Sequence, residues 1–233
     1  MKLDNATVLI TGANRGIGLA FARQALERGA RRVYAAARDP RQVTLPGVEP
    51  LRLDVTRAED VAAAAQRCGD VTLLINNAGV AEFGGFLGED AEASARRQME
   101  VNYFGPLRLS RVFAPVLAAN GGGALLNVLS VASWVHGMGL QVYGATKSAA
   151  WALTNGLRHE LRAQGTQVLA LHMGFVDTDL TSAIDAPKSD ADDIVRRALD
   201  ALETGQEEVL ADDFTRAVRQ GLSAEPGIYL QPR

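Results

Sequence analysis

Cysteine, histidine, unbalanced charge and long apolar runs are all scarce in this chain, and each scarcity closes a class of function. A single cysteine, Cys68, leaves no partner for an internal disulfide. With no ligand cluster around it, the thiol reads as an ordinary one in a reducing cytosol. The three histidines, His136, His159 and His172, form neither metal-ligand spacing nor a Ser-His-Asp order. They read as structural or pocket residues, and no metal is expected. A formal net charge of -3 over 233 residues offers no general attraction to nucleic acid or to an anionic membrane. No segment reaches the roughly eighteen uninterrupted apolar residues of a membrane span, and "MKLDNATVLITG" lacks the apolar core of a signal peptide. The expectation is a soluble, cytoplasmic protein without repeats, linkers or low-complexity tracts.

What is present is a hydrophobic fraction of 47%, ample for one buried core. The length suits one α/β domain, residues 1–233, better than two small ones. Short apolar runs alternate with amphipathic stretches. "ATVLIT", "RRVYAAA", "EPLRLDV", "VTLLINN", "ALLNVLS", "TQVLALHM" and "EEVLAD" have strand length, and several are apolar on consecutive positions, as strands covered on both faces are. Helices are predicted over Ile17 to Arg28, Ala58 to Cys68, Asp90 to Asn120, Tyr143 to Gln164 and Asp190 to Thr204. Gly29, Gly121 and Gly165 stand in C-cap position, and Ser189 is the expected N-cap of the last helix, with Asp192 three residues on. This order implies right-handed crossovers and a doubly wound, Rossmann-type parallel sheet with helices on both faces.

The first strand runs straight into "TGANRGIG" and then a helix. Gly12, Gly16 and Gly18 occupy the turn, with Asn14, Arg15 and Ile17 between them, where a dinucleotide diphosphate can approach bare backbone and a helix N-terminus. The spacing is G-x-x-x-G-x-G; a turn needed only for tight packing is the alternative. An acid at the end of the second strand would select NAD, but "VYAAARDP" places Ala37 there, followed by Arg38. Arg15 and Arg38 can both fork onto a ribose 2′-phosphate, which points to NADP(H). Asp39 precedes Pro40 and is expected to open a turn instead; Arg38 as a merely solvated strand-end charge remains the alternative.

"QVYGATKSAAW" sets Tyr143 and Lys147 four apart, on one face of a helix. A Tyr-x-x-x-Lys spacing is common by chance and carries little alone. Read in order, however, "TGANRGIG", "LDV", "NNAG", "VNYFG", "NVLS" and "YGATK" resemble the short-chain dehydrogenase/reductase family, from Thr7 to about Thr178. The resemblance implies a catalytic group of Asn102, Ser130, Tyr143 and Lys147. It implies cofactor contacts at Asp54 and Val55 beside the adenine, at Asn77, Ala78 and Gly79, at Lys147 on the nicotinamide ribose, and at Gly174, Val176 and Thr178. The chemistry gives each type a reason. A free phenol has a pKa of about 10, and a neighbouring ammonium is expected to lower it; three units would represent roughly 4 kcal/mol. Ser130 can donate to the substrate oxygen as charge develops there, and Asn102 can hold a water that links Lys147 to solvent. The alternatives are a capping role for Ser130, Ser133 as rival hydroxyl, and Asn102 as a helix-kinking residue.

The chain departs from the family pattern at "HMGFVDT", where Met173 replaces a proline; the turn is expected to loosen, and Met173 to face cofactor or substrate. The segment at about 179–189, "DLTSAIDAPKS", is shorter and more polar than the family's usual substrate lid, which suggests an open site for bulky or varied carbonyl compounds. Expected pocket walls are Ala81, Phe83, Val131, Trp134, His136, Leu140, Met173 and Phe175, favouring a hydrophobic ketone or aldehyde. The leading expectation is an NADP(H)-dependent carbonyl reductase or alcohol dehydrogenase acting on a small molecule. A 3-oxoacyl-carrier-protein reductase is an alternative, although no basic docking patch stands out. A catalytically silent NADP(H)-binding regulator is another, although all four catalytic types are present. A homodimer or homotetramer is expected, with Leu107, Val112, Trp151 and Leu157 open equally to interface or core roles.

Overall fold

The computed structural model describes residues 1–137 and 139–231. Its seven-stranded sheet has every neighbouring pair parallel, in the order β3-β2-β1-β4-β5-β6-β7. The strands are β1 (Thr7–Thr11), β2 (Arg32–Ala37), β3 (Glu49–Arg52), β4 (Leu73–Asn76), β5 (Ala124–Val128), β6 (Gln167–His172) and β7 (Glu208–Leu210). The helices are α1 (Gly16–Glu27), α2 (Ala58–Arg67), α3 (Ala91–Met99), α4 (Gly105–Ala119), α5 (Gln141–Glu160), α6 (Ala191–Glu203) and α7 (Asp213–Gly221). No helix among the described residues is long and apolar enough to cross a membrane.

Because side chains alternate along a strand, the continuous apolar runs feed two cores. Val8, Ile10, Leu73, Ile75 and Leu126 meet α1 and α6 through Phe21, Ala25, Val195 and Leu199. Their neighbours Leu9, Leu74 and Leu125 meet α2, α4 and α5 through Val61, Phe113, Leu117 and Leu157. Leu157 and Val112 therefore serve the core. Trp151 lies edge-on to Trp134 at 6.0 Å. A buried amide chain crosses the sheet: Asn76 donates to Asn127 at 2.8 Å, and Asn127 donates to Thr154 of α5 at 2.9 Å.

Gly29, Gly121 and Gly165 take φ of +83°, +90° and +76°, as αL residues that end helices do. Two helix expectations change. The span from Asp90 to Asn120 is interrupted by a π-helical segment, Glu100–Phe104. Pro106 has no N–H for the carbonyl of Asn102 four residues earlier, and Gly105 bonds back five residues to Glu100. The N-cap of α6 is Asp190, not Ser189. Its carboxylate accepts from the amides of Asp192 and Asp193, while Ser189 ladders with Phe175 and Asp177. The short α7 was not foreseen.

Candidate active site

β1 and β4 are adjacent, yet their crossovers leave in opposite directions, so a crevice opens beyond their carboxyl ends. The turn "TGANRGIG" and the segment "NNAG" both emerge into it. Gly12 has φ of +65°, and a Cβ there would lie 3.1 Å from the Ala78 Cα. Asn77 fastens this turn, donating to the carbonyls of Thr11 (2.8 Å) and Gly12 (3.2 Å). Gly18 is the exception to the expected cofactor set. It lies beneath the turn rather than on the cleft, where a Cβ would meet the Gly12 carbonyl oxygen at 2.2 Å. Its glycine is required by helix-to-turn packing.

A cleft of about 680 Å³ follows the carboxyl ends of the strands. Gly12, Asn14, Arg15, Gly16, Ile17, Arg38, Asp54, Val55, Asn77, Ala78 and Gly79 line one part of it. Ser130, Tyr143, Lys147, Gly174, Val176 and Thr178 line another, with Ala81, Phe83, Val131, His136, Leu140, Met173 and Phe175 as walls. β2 ends at Ala37, and Arg38 is exposed on the rim. Asp39 does open a turn: it caps Pro40–Gln42, accepts from the Arg41 amide, and is paired with the Arg41 guanidinium. Arg15 reaches the other way, to Asp179 at 3.0 Å.

Ser130 leaves the end of β5 in extended backbone and caps Val131–Ser133, accepting from the Ala132 amide at 3.1 Å. Its hydroxyl lines the cleft and faces the Tyr143 phenol. Ser133 is buried, off the cleft. Tyr143 and Lys147 lie one turn apart on α5, and the ammonium donates to the Val128 carbonyl at 2.9 Å, 5.7 Å from the centre of the phenol ring. The expected ammonium-depressed phenol is not what this geometry produces. Burial pushes the Tyr143 phenol up to about 12, with Ser130 pulling the other way. Burial also pushes Lys147 down to about 8. The ammonium is turned to a backbone carbonyl instead of the phenol oxygen, so desolvation dominates both groups.

Asn102 does not reach the cleft. Its side chain accepts from the Val80 amide (2.9 Å) and donates to the Val80 carbonyl (2.8 Å) and to Thr146 (2.9 Å). Both amide hydrogens are thereby engaged. The side chain ties the loop after β4 to α5, one residue before Lys147. Trp134 is likewise not a cleft wall: it turns inward and stacks on His172, with ring centres 4.1 Å apart.

The turn after β6 is not loosened by Met173. The Gly174 amide donates to the Asp212 carboxylate at 2.7 Å, and the Met173 carbonyl accepts from Val131 at 2.8 Å. Asp212 is also the N-cap of α7. Thus the unforeseen helix anchors the turn, and it adds Phe214 to the cleft. Leu180, Thr181 and Ile184 are further wall residues that sequence reasoning missed. Leu180 and Ile184 stand four apart in a polar segment, and Asp212 precedes Phe214; both signals were available.

A doubly wound sheet with this turn and this hydroxyl–phenol–ammonium group at its switch point defines an oxidoreductase of alcohol or carbonyl groups. The chain belongs to the short chain dehydrogenase family, whose family model matches residues 6–189. It is 37% identical to the short-chain dehydrogenase ptmH of Penicillium ochrochloron, over 76% of this chain and 68% of that one. It is 35% identical to galactitol 2-dehydrogenase (L-tagatose-forming) of Cereibacter sphaeroides, over 77% of this chain and 75% of the relative. A short chain dehydrogenase of Burkholderia cenocepacia, solved in complex with NADP, superposes with a TM-score of 0.94 at 38% identity, covering all of both chains.

Proposed function

We propose that this protein is an NADP(H)-dependent carbonyl reductase or alcohol dehydrogenase for hydrophobic or bulky substrates. The observation that carries the reading is one continuous cleft that holds Arg15, Arg38 and the glycine turn together with Ser130, Tyr143 and Lys147. The residues fit a dinucleotide: a Cβ at Gly12 would crowd Ala78, Ala37 stands where an acid would select NAD, and Arg15 and Arg38 both line the cleft, where they would meet a 2′-phosphate. The NADP-bound neighbour supports the same choice. Gly12, Asn14, Arg15, Gly16, Ile17, Arg38, Asp54, Val55, the Asn77–Gly79 segment, Lys147, Val176 and Thr178 would hold it.

The reduced nicotinamide supplies a hydride to the carbonyl carbon. The protein's part is the proton. Tyr143, a phenol already protonated at neutral pH and pushed further that way by burial, gives its hydrogen to the substrate oxygen. Ser130, held by the Ala132 amide, donates a second hydrogen bond to that oxygen. Lys147 holds the end of β5 through Val128 and would bond the ribose side of the cofactor. Asn102 acts by keeping the loop at Val80 against α5.

The substrate end is walled by Phe83, Leu180 and Phe214, each at least half exposed at the rim. The 179–189 segment contributes Leu180, Thr181 and Ile184 to the walls, and the half-exposed Leu180 at the rim supports access for bulky carbonyls. A homodimer or homotetramer is part of the proposal. The test is oxidation of NADPH and NADH against ketones, aldehydes, polyol-derived ketoses and a 3-oxoacyl thioester. Turnover of aryl or branched ketones with NADPH is expected. Turnover confined to ketoses or to the thioester would overturn the substrate class, and tight NADPH binding without turnover would make the chain a silent binder.

A further inference from the structure

His172 ends β6 beneath the cleft and has no solvent exposure. Its Nδ1 lies 3.2 Å from the carbonyl oxygen of Ser130, across 42 residues of sequence. A carbonyl can only accept, so Nδ1 carries the hydrogen and Nε2 is a bare lone pair. Nε2 has no hydrogen-bond partner among the described residues, and a Glu208 oxygen lies 3.8 Å from it. The ring is clamped by its stack on Trp134, over which the Arg219 guanidinium lies 5.7 Å from the ring centre.

This clamp sits at a particular point of the backbone. Leu129 and Val131 are laddered to Leu171 and Met173, at 2.8 Å each. The residue between them, Ser130, turns its hydroxyl toward the cleft while its carbonyl accepts from Ser133 (3.0 Å) and from His172. The His172 bond is therefore a long-range restraint on the peptide that aims the Ser130 hydroxyl. We propose that His172 is a positioning residue for Ser130, fixing its orientation by donation from Nδ1 while Trp134 and Arg219 fix the ring. This rests on the reading of Ser130 as the second donor to the substrate oxygen.

The direct test needs no variant: the histidine tautomer, read from imidazole ¹⁵N shifts at neutral pH. A protonated Nδ1 with a bare Nε2 is expected for His172. A protonated Nε2 overturns the proposal, because Nδ1 could then not donate to Ser130. The kinetic test compares H172N, which keeps a donor near the Nδ1 position, with H172L, in the wild-type and S130A backgrounds. H172L is expected to lower kcat about 2- to 10-fold, the range of one net hydrogen bond, with KM for NADPH unchanged. H172N is expected to recover most of that loss. In the S130A background H172L should change kcat by less than twofold, since its effect passes through Ser130. An undiminished loss in S130A, or H172N as poor as H172L, overturns the proposal. If S130A alone leaves kcat unchanged, the reading of Ser130 fails instead, and the tautomer still reports on His172.

Discussion

Replacing Gly18 with alanine tests whether the glycine turn is a packing device that serves a binding site. An added Cβ would stand 2.2 Å from the Gly12 oxygen, 2.8 Å from its carbonyl carbon and 2.5 Å from the Asn77 Nδ2. Neither partner can swing aside. The Gly12 carbonyl is backbone at φ +65°, and the Asn77 amide is bonded to Thr11 at 2.8 Å. Reaching ordinary contact, about 3.5 Å, requires the start of α1 to retreat by roughly 1.3 Å. Overpacking of this kind costs about 1–3 kcal/mol, and the helix-propensity gain of alanine offsets up to ~1 kcal/mol of it. The net loss, up to about 2 kcal/mol with the offset taken in full, lowers the melting temperature by up to roughly 8 °C. The retreat also moves the helix N-terminus away from the diphosphate, so NADPH and NADH should both bind at least about 10-fold more weakly. Gly156 is the matched control: it lies in α5, and a Cβ there would have nothing within 4 Å. Gly156→Ala should gain about 0.5–1 kcal/mol and leave cofactor affinity alone. Scanning calorimetry and fluorescence titration read both effects. A Gly18→Ala protein with unchanged melting temperature and unchanged affinity would refute the reasoning.

Tyr143→Phe should lower turnover by about 10²- to 10⁴-fold with NADPH affinity preserved, read by cofactor absorbance; loss of affinity instead would mean that the phenol is a binding group. Asp179→Asn frees Arg15 from an exposed pair at 3.0 Å, and NADPH should bind about 1.4- to 5-fold more tightly while NADH is unaffected. Equal tightening of both would place Asp179 beside the diphosphate, away from the 2′-phosphate. Burial pushes His172 down to about 4 from an ordinary 6.5, aided by the nearby positive charges of Arg219, Lys147 and Arg158. Between those values the unfolded chain binds a proton that the folded chain does not, so stability falls as pH drops from 6.5 toward 4. The loss reaches about 3 kcal/mol. Denaturant titrations should show that decline in the wild type and a flatter profile in His172→Leu; parallel curves would refute it.

The sheet was legible because burial on both faces writes itself as consecutive apolar residues: all five positions of β1 are buried. Helix α7 was not: Phe214 and Val218 stand four apart on one face, but nine residues are too short a stretch to single it out from a loop. Motif spacing placed Ser130, Tyr143 and Lys147 on the cleft, because a strand end and one helix turn have fixed geometry. It misplaced Trp134, the residue directly after the tight turn Val131–Ser133, where direction depends on the His172 ring stacked against it. Contacts such as Gly174 with Asp212 and Arg15 with Asp179 join distant segments, and no local pattern encodes them.

The Tyr143–Lys147 pair shows the same limit in its electrostatics. Four-residue spacing brings two side chains to one helix face, and from that alone a charge-stabilised phenolate follows. The folded surroundings reverse the sign. Val128 takes the ammonium, Lys147 is buried while Tyr143 is half-buried at the cleft, and desolvation shifts each toward its neutral form. A neutral phenol is the form that reduction needs, since it arrives with the proton that the substrate oxygen must receive. Oxidation needs the opposite form, so a positive charge brought near the phenol must supply what Lys147, turned to Val128, does not. Spacing thus fixes which groups meet, and the carbonyl of Val128 decides where the ammonium points.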